Sequence, residues 1–154
     1  MYNILIQLIV AFSMLVGKIL FHTSFERFQI GSSDVQAFLN LKYPGVPVSL
    51  ADGEYCYVDL DAWRNIFLRI AAFLKPYMRN FRDCDDFADF VKGIVAMMFA
   101  VNTCFRVSGT NANGQAHAYN LILYQEKGIL KADLVESQSL TIGCSGYTVS
   151  TIRG

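Results

Sequence analysis

The sequence predicts an α+β domain in which a central buried helix packs on an antiparallel sheet. Three observations lead there. Phe87, Phe90, Val91, Ile94, Val95 and Met98 recur at three- and four-residue steps, the spacing of one helix face. Ala116–Tyr124 and Ile129–Glu136 are largely apolar runs on either side of Gln125-Glu126-Lys127-Gly128, a hairpin signal. Helical patterns come before these strands instead of alternating with them, which segregates helices from sheet.

The chain has 154 residues, 53% of them hydrophobic and 17% charged. That suits one domain with a full core and excludes a disordered, solvated chain. Thirteen basic residues balance thirteen acidic ones, so the electrostatic footprint of a nucleic-acid binder is missing. The four cysteines, Cys56, Cys84, Cys104 and Cys144, form no C-x-x-C pair, and only His22 and His117 are histidines. No zinc set or disulfide framework is visible in that spacing. Cys104 stands in an apolar run as a small buried hydrophobe.

Met1 to Phe21 is almost wholly apolar and about the length of a membrane span. Asn3, Gln7, Ala11, Lys18 and His22 fall near one line at about 100° per residue. Residues 1–30 are therefore read as an apolar N-terminal helix, either a membrane anchor, a helix buried against the domain, or a helix buried in a homo-oligomer through residues 1–21. Membrane association or membership of a larger assembly, such as a virion, is favoured over a free soluble state. Residues 31–154 form the domain proper.

Gly31-Ser32-Ser33 is a break, and Ser33 can cap a short helix to about Tyr43. Pro44-Gly45-Val46-Pro47 ends it, and a loop runs to Gly53. Tyr55–Val58 reads as a strand. Asp59 or Asp61 caps the next helix, with Trp63, Ile66, Phe67, Ile70, Leu74 and Tyr77 on one side and Pro76 near its end. Trp63 on such a stripe is a core residue. Asp83 is a good N-cap for the clearest helix, with Asp86 three residues on. Thr103–Val107 is a strand, Gly109–Gly114 a loop, and a last strand is expected around Tyr147–Ile152. Gly143-Cys144-Ser145-Gly146 lacks the G-x-S-x-G spacing and is a turn.

Cys84 directly follows the proposed cap, in the first turn of a helix, where unpaired amides and the helix dipole favour a thiolate. Asp85 and Asp86 oppose this, so a neighbouring imidazolium is needed. His117 opens the first hairpin strand. With a two-residue turn at Glu126-Lys127, His117 falls opposite Glu136, whose carboxylate would orient the imidazole. A three-residue loop using Gly128 would shift the pairing by one. Asn120, Asp133 and Gln138 are then the substitute orienters.

Asp83-Cys84-Asp85-Asp86-Phe87-Ala88, His117-Ala118-Tyr119-Asn120 and Val135-Glu136-Ser137-Gln138 resemble the transglutaminase-like branch of papain-like cysteine peptidases. The nearest resemblance is to the C-terminal protease domain of the fairy-ring mushroom agglutinin type and its bacterial and phage relatives, and it spans about residues 55–140. The lectin domain of those fungal proteins has no counterpart here, and Ser137 stands where the family tends to have proline. The resemblance implies a papain-like fold with Cys84 as nucleophile, His117 as base and Glu136 as orienter. It also implies calcium dependence, with Asp85 and Asp86 as candidate ligands, although the sequence itself requires no cofactor. The expected function is a cysteine hydrolase, a thiol protease or amidase, that cleaves a peptide or protein substrate through a thioester acyl-enzyme. Its rivals are a structural or interaction protein of a virion or membrane complex that keeps the fold, and a peptidoglycan endopeptidase. The Asp-Cys-Ser-Gly signature of the last is not matched at Cys84-Asp85-Asp86.

Overall fold

A computed structural model describes residues 25–78 and 83–154. The helix expected over Met1–Phe21 lies outside these residues. Among them, no helix is long and apolar enough to cross a membrane.

The chain runs β1 (Phe28–Gly31), α1 (Ser32–Lys42), β2 (Val48–Ser49), β3 (Glu54–Asp59) and α2 (Leu60–Ile70), which tightens into a 3-10 turn at Ala71–Phe73. It continues with α3 (Cys84–Phe99), β4 (Cys104–Thr110), β5 (Ala116–Glu126), β6 (Ile129–Glu136), β7 (Thr141–Ile142) and β8 (Thr148–Arg153). β1 already pairs with β3, so Phe28, Gln29 and Ile30 belong to the sheet.

The centre is β5. One edge of it pairs with β6. Along the other edge β4 pairs with Ala116–Ile122, and β3 takes over in parallel at Tyr124 and Gln125. A strand flanked on both edges and covered on both faces is largely apolar, and Ala118–Tyr124 are all buried, Asn120 among them. Ile122 and Tyr124 pack with Trp63, Ile66, Val91 and Val95 of α2 and α3. Tyr119, Leu121 and Leu123 pack with Val35 and Leu39 of α1 and with Phe105 and Ile152. Trp63 sits in the core as expected, its Nε1 donating to the Leu123 carbonyl at 2.8 Å.

The expected papain-like α+β plan is corrected here. Among the described residues the strands form one mixed eight-stranded sheet curled into a half-barrel, with the three α-helices laid on it. It is not purely antiparallel, because β3–β5 and β2–β8 run parallel. Nor is α3 a central buried helix. Its core line is Phe87, Ala88, Val91, Val95 and Phe99, a run dominated by four-residue steps. Phe90 is 41% exposed and Met98 38%, both on the outer side. The three-residue steps in the sequence pattern led onto that side, so α3 covers one face of the sheet as a surface layer.

The hairpin is real, with its register displaced. Glu126 pairs with Ile129 and Asn120 with Val135, so the turn residues are Lys127 and Gly128. Both have positive φ, 53° and 78°, the geometry of a type I′ turn. The displacement of two residues relative to the Glu126-Lys127 turn leaves every side chain on its expected face.

The two phenylalanines of α3 should therefore separate in denaturant melts. Phe87→Ala is expected to cost about 3–5 kcal/mol and Phe90→Ala no more than about 1 kcal/mol. Equal losses would restore the central-helix plan.

Candidate functional site

Asp83 has extended backbone and caps α3, and the Asp86 carboxylate accepts from the Asp83 backbone N–H at 3.2 Å in a capping box. Cys84 follows as the first helical residue, half-buried. It lies where free helix amides can stabilise a thiolate.

His117 is the second residue of β5 and Glu136 the last of β6. His117 Nε2 and Glu136 Oε2 are 2.7 Å apart, with both side chains largely shielded. In the observed register Glu136 falls diagonally across from His117 on the same face, within reach of a long side chain. An ionised carboxylate accepts only, so Nε2 donates its N–H to Oε2, and in the neutral imidazole the lone pair is then on Nδ1.

Two further donors hold Glu136. Tyr147 Oη donates to Oε2 at 2.8 Å, and the Gln138 backbone N–H donates to Oε1 at 3.1 Å. Burial first, then the hydrogen bond to Glu136 and its charge, pushes the Tyr147 hydroxyl up to about 12. The Tyr147 ring meets His117 edge-on with centroids 5.9 Å apart, and Tyr119 stacks on His117 at 5.9 Å. Tyr119 donates in turn to the Thr148 carbonyl. That carbonyl lies so close to β4 that a Cβ at Gly109 would sit 1.7 Å from it; only glycine fits there.

Cys84, His117, Glu136 and Tyr147 line one cleft of about 590 Å³, with Asn111, Gln115 and Gln138 among its other lining residues. Among the described residues no hydrogen bond joins Cys84 to His117, so the cleft brings the thiol and the imidazole together without a direct link. Such pairs commonly tighten only when a ligand is bound.

Of the substitute orienters, none takes the role. Asp133 accepts from Tyr124 at 2.8 Å, and Gln138 contributes its backbone N–H. Asn120 is fully buried: its amide donates to the carbonyls of Ala88 in α3, at 2.9 Å, and of Phe105 in β4, at 3.3 Å. Its oxygen accepts from the buried Ser137 hydroxyl at 2.7 Å. Ser137, the departure from the motif, thus has a structural partner that proline lacks. Sequence reading passed over Tyr147 as a site residue. Its one local signal is Gly146, whose positive φ of 76° marks the turn leading into it.

Calcium takes six to eight oxygen ligands, and the described residues around Asp85 and Asp86 do not supply such a set. Asp86 is engaged in the cap. Asp85 shares a hydrogen bond with Asp83, which raises Asp83 and lowers Asp85. The Arg106 guanidinium stands 3.8 Å from Asp85. Ligand atoms of Asp83, Cys84 and Asp85 do lie within 4.8 Å of one another, but one of the three is the thiol, a soft partner for a hard cation.

No family model matches the chain, and no curated protein sequence matches it. Its fold is similar to that of solved structures. With PSL1a in complex with E64 the TM-score is 0.65 at 26% identity, covering 82% of this chain and 51% of that one. With the Polyporus squamosus lectin, bound to the human-type influenza-binding epitope Neu5Aca2-6Galb1-4GlcNAc, it is 0.65 at 23% identity, covering 82% and 49%. The chain spans about half the length of these structures.

The likeness shown is to a lectin structure, and neither match is named a peptidase. The family expected from the motifs, papain-like and transglutaminase-like, is corrected accordingly. With it go the assignments as a peptide-cleaving cysteine hydrolase and as an enzyme, and the peptide or protein substrate. The virion-component and peptidoglycan-endopeptidase alternatives gain no support.

Asn120→Ala removes three hydrogen bonds that join α3, β4 and the end of β6. A loss of about 1–3 kcal/mol in denaturant stability is expected, together with weaker hydrogen-exchange protection at the start of α3. An unchanged midpoint would show that the three segments hold together without it.

Proposed function

We propose that Cys84, His117 and Glu136 form a reactive-thiol site that takes a polar electrophile covalently. The observation that carries this is the 2.7 Å pair between His117 Nε2 and Glu136 Oε2 in the cleft that Cys84 also lines. Nδ1 of His117 is the base for the thiol, and Glu136 stabilises the imidazolium that forms. E64, the compound held by PSL1a, has an epoxide ring and supplies the chemistry to test. The Cys84 thiolate forms a carbon–sulfur bond, the ring carbon–oxygen bond breaks, and the oxygen takes back the proton held by His117. No oxidant or second reactant is needed. The proposal concerns this covalent chemistry alone and does not extend to amide cleavage.

The other thiols are poor competitors. Burial pushes up Cys56, Cys144 and, most strongly, the fully enclosed Cys104, whereas Cys84 has helix amides beside it. Labelling with E64 and with iodoacetamide, located by peptide mass spectrometry, is expected to fall first on Cys84. It should vanish in Cys84→Ala, slow by about 10²-fold or more in His117→Ala, and slow less in Glu136→Gln. Equal labelling of Cys56 and Cys144, or an unslowed His117→Ala, would overturn the proposal.

A second reading is carbohydrate binding, favoured by the glycan held by the Polyporus lectin. Titration of that trisaccharide should then perturb the Tyr147 and His117 resonances and protect Cys84 from E64. No binding at all removes it, and binding that leaves the cleft unperturbed separates it from the Cys84 cleft.

A further inference from the structure

Glu136 Oε2 accepts two hydrogen bonds, from His117 Nε2 at 2.7 Å and from Tyr147 Oη at 2.8 Å. We infer that Tyr147 is a positioning residue of this site, its hydroxyl fixing the carboxylate oxygen that in turn fixes the imidazole. The inference rests on the reactive-thiol reading of Cys84, His117 and Glu136. Tyr147 reaches the cleft from a segment remote from the hairpin, just before β8.

A carboxylate at a strand end can turn about its side-chain torsions, and one donor alone does not stop it. Here the Gln138 N–H holds Oε1 while Tyr147 and His117 share Oε2. The three donors belong to β5, to the turn after β6 and to the segment before β8, and together they hold both carboxylate oxygens. The Tyr147 ring is itself held edge-on between His117 and Tyr119, with centroids 5.9 and 5.2 Å away. Its hydroxyl is thus aimed by packing. When the imidazole takes the Cys84 proton, Nε2–H must already face a fixed negative oxygen for the charge to be stabilised.

Tyr147→Phe removes the hydroxyl and keeps the ring contacts. The test compares the full-length protein with this variant in two measurements, the concentration dependence of E64 labelling at Cys84 and the imidazole ¹⁵N spectrum of His117. Since the chain has only two histidines, a His22→Gln background leaves His117 alone in that spectrum. Expected is a saturating labelling rate lower by roughly tenfold, with little change in half-saturating concentration. The nitrogen shifts should also move from the Nε2–H pattern toward a tautomer mixture. A wild-type rate with an unmoved spectrum overturns the inference. So does a lower rate with an unmoved spectrum, since the hydroxyl would then act on the ligand and not on the imidazole. If wild-type Cys84 is not labelled at all, the reactive-thiol reading fails. The ¹⁵N spectra then decide on Tyr147 alone: moved shifts support its positioning role and unmoved shifts overturn it.

Discussion

One buried carboxamide ties together the three segments that make the site. Asn120 bonds the Ala88 carbonyl of the helix headed by Cys84, the Phe105 carbonyl of β4, and the Ser137 hydroxyl just beyond Glu136. It stands three residues along β5 from His117. Asn120 and Ser137 are fully buried, so each missing bond would leave a buried polar group unpaired. Side-chain packing alone would tolerate a small slide of α3 along the sheet. Directional bonds to fixed carbonyls do not.

Much of the fold could be read from local signals. The caps at Asp59 and Asp83, the strands around β3 to β6 and the core position of Trp63 follow from side-chain chemistry within a few residues. What could not be read was non-local. Nothing near β3 announces that Val58 and Asp59 pair in parallel with Tyr124 and Gln125. Likewise β2, with two residues, exists only because β8 comes beside it. The outer face of α3 misled because Phe90 and Met98 look like core residues by type. Burial is decided by where the sheet lies, and hydrophobicity alone does not report that.

The site shows the same division. Cys84, His117 and Glu136 could each be picked out from a cap, one of only two histidines, and a hairpin. Tyr147 depends on β8 returning beside β4, which no spacing reveals. The resemblance that joined the three motifs led to a peptidase, while the comparison by shape led to a lectin structure twice as long. The residues and the activity are separable questions. The His117–Glu136 pair is a fact of geometry whichever ligand the cleft accepts.

The I′ turn at Lys127 and Gly128 sets a parity rule for how this chain can change over time. Strand side chains alternate, so one residue added to or lost from that turn would rotate Glu136 to the far side of the sheet, away from His117 and Tyr147. Two residues would only slide it along the same side. The tip is exposed, the kind of place where length ordinarily drifts freely. Here it should drift in even steps, or in odd ones accompanied by a bulge. The hairpin tip thus carries a counting constraint imposed by a hydrogen bond formed at the far end of the hairpin.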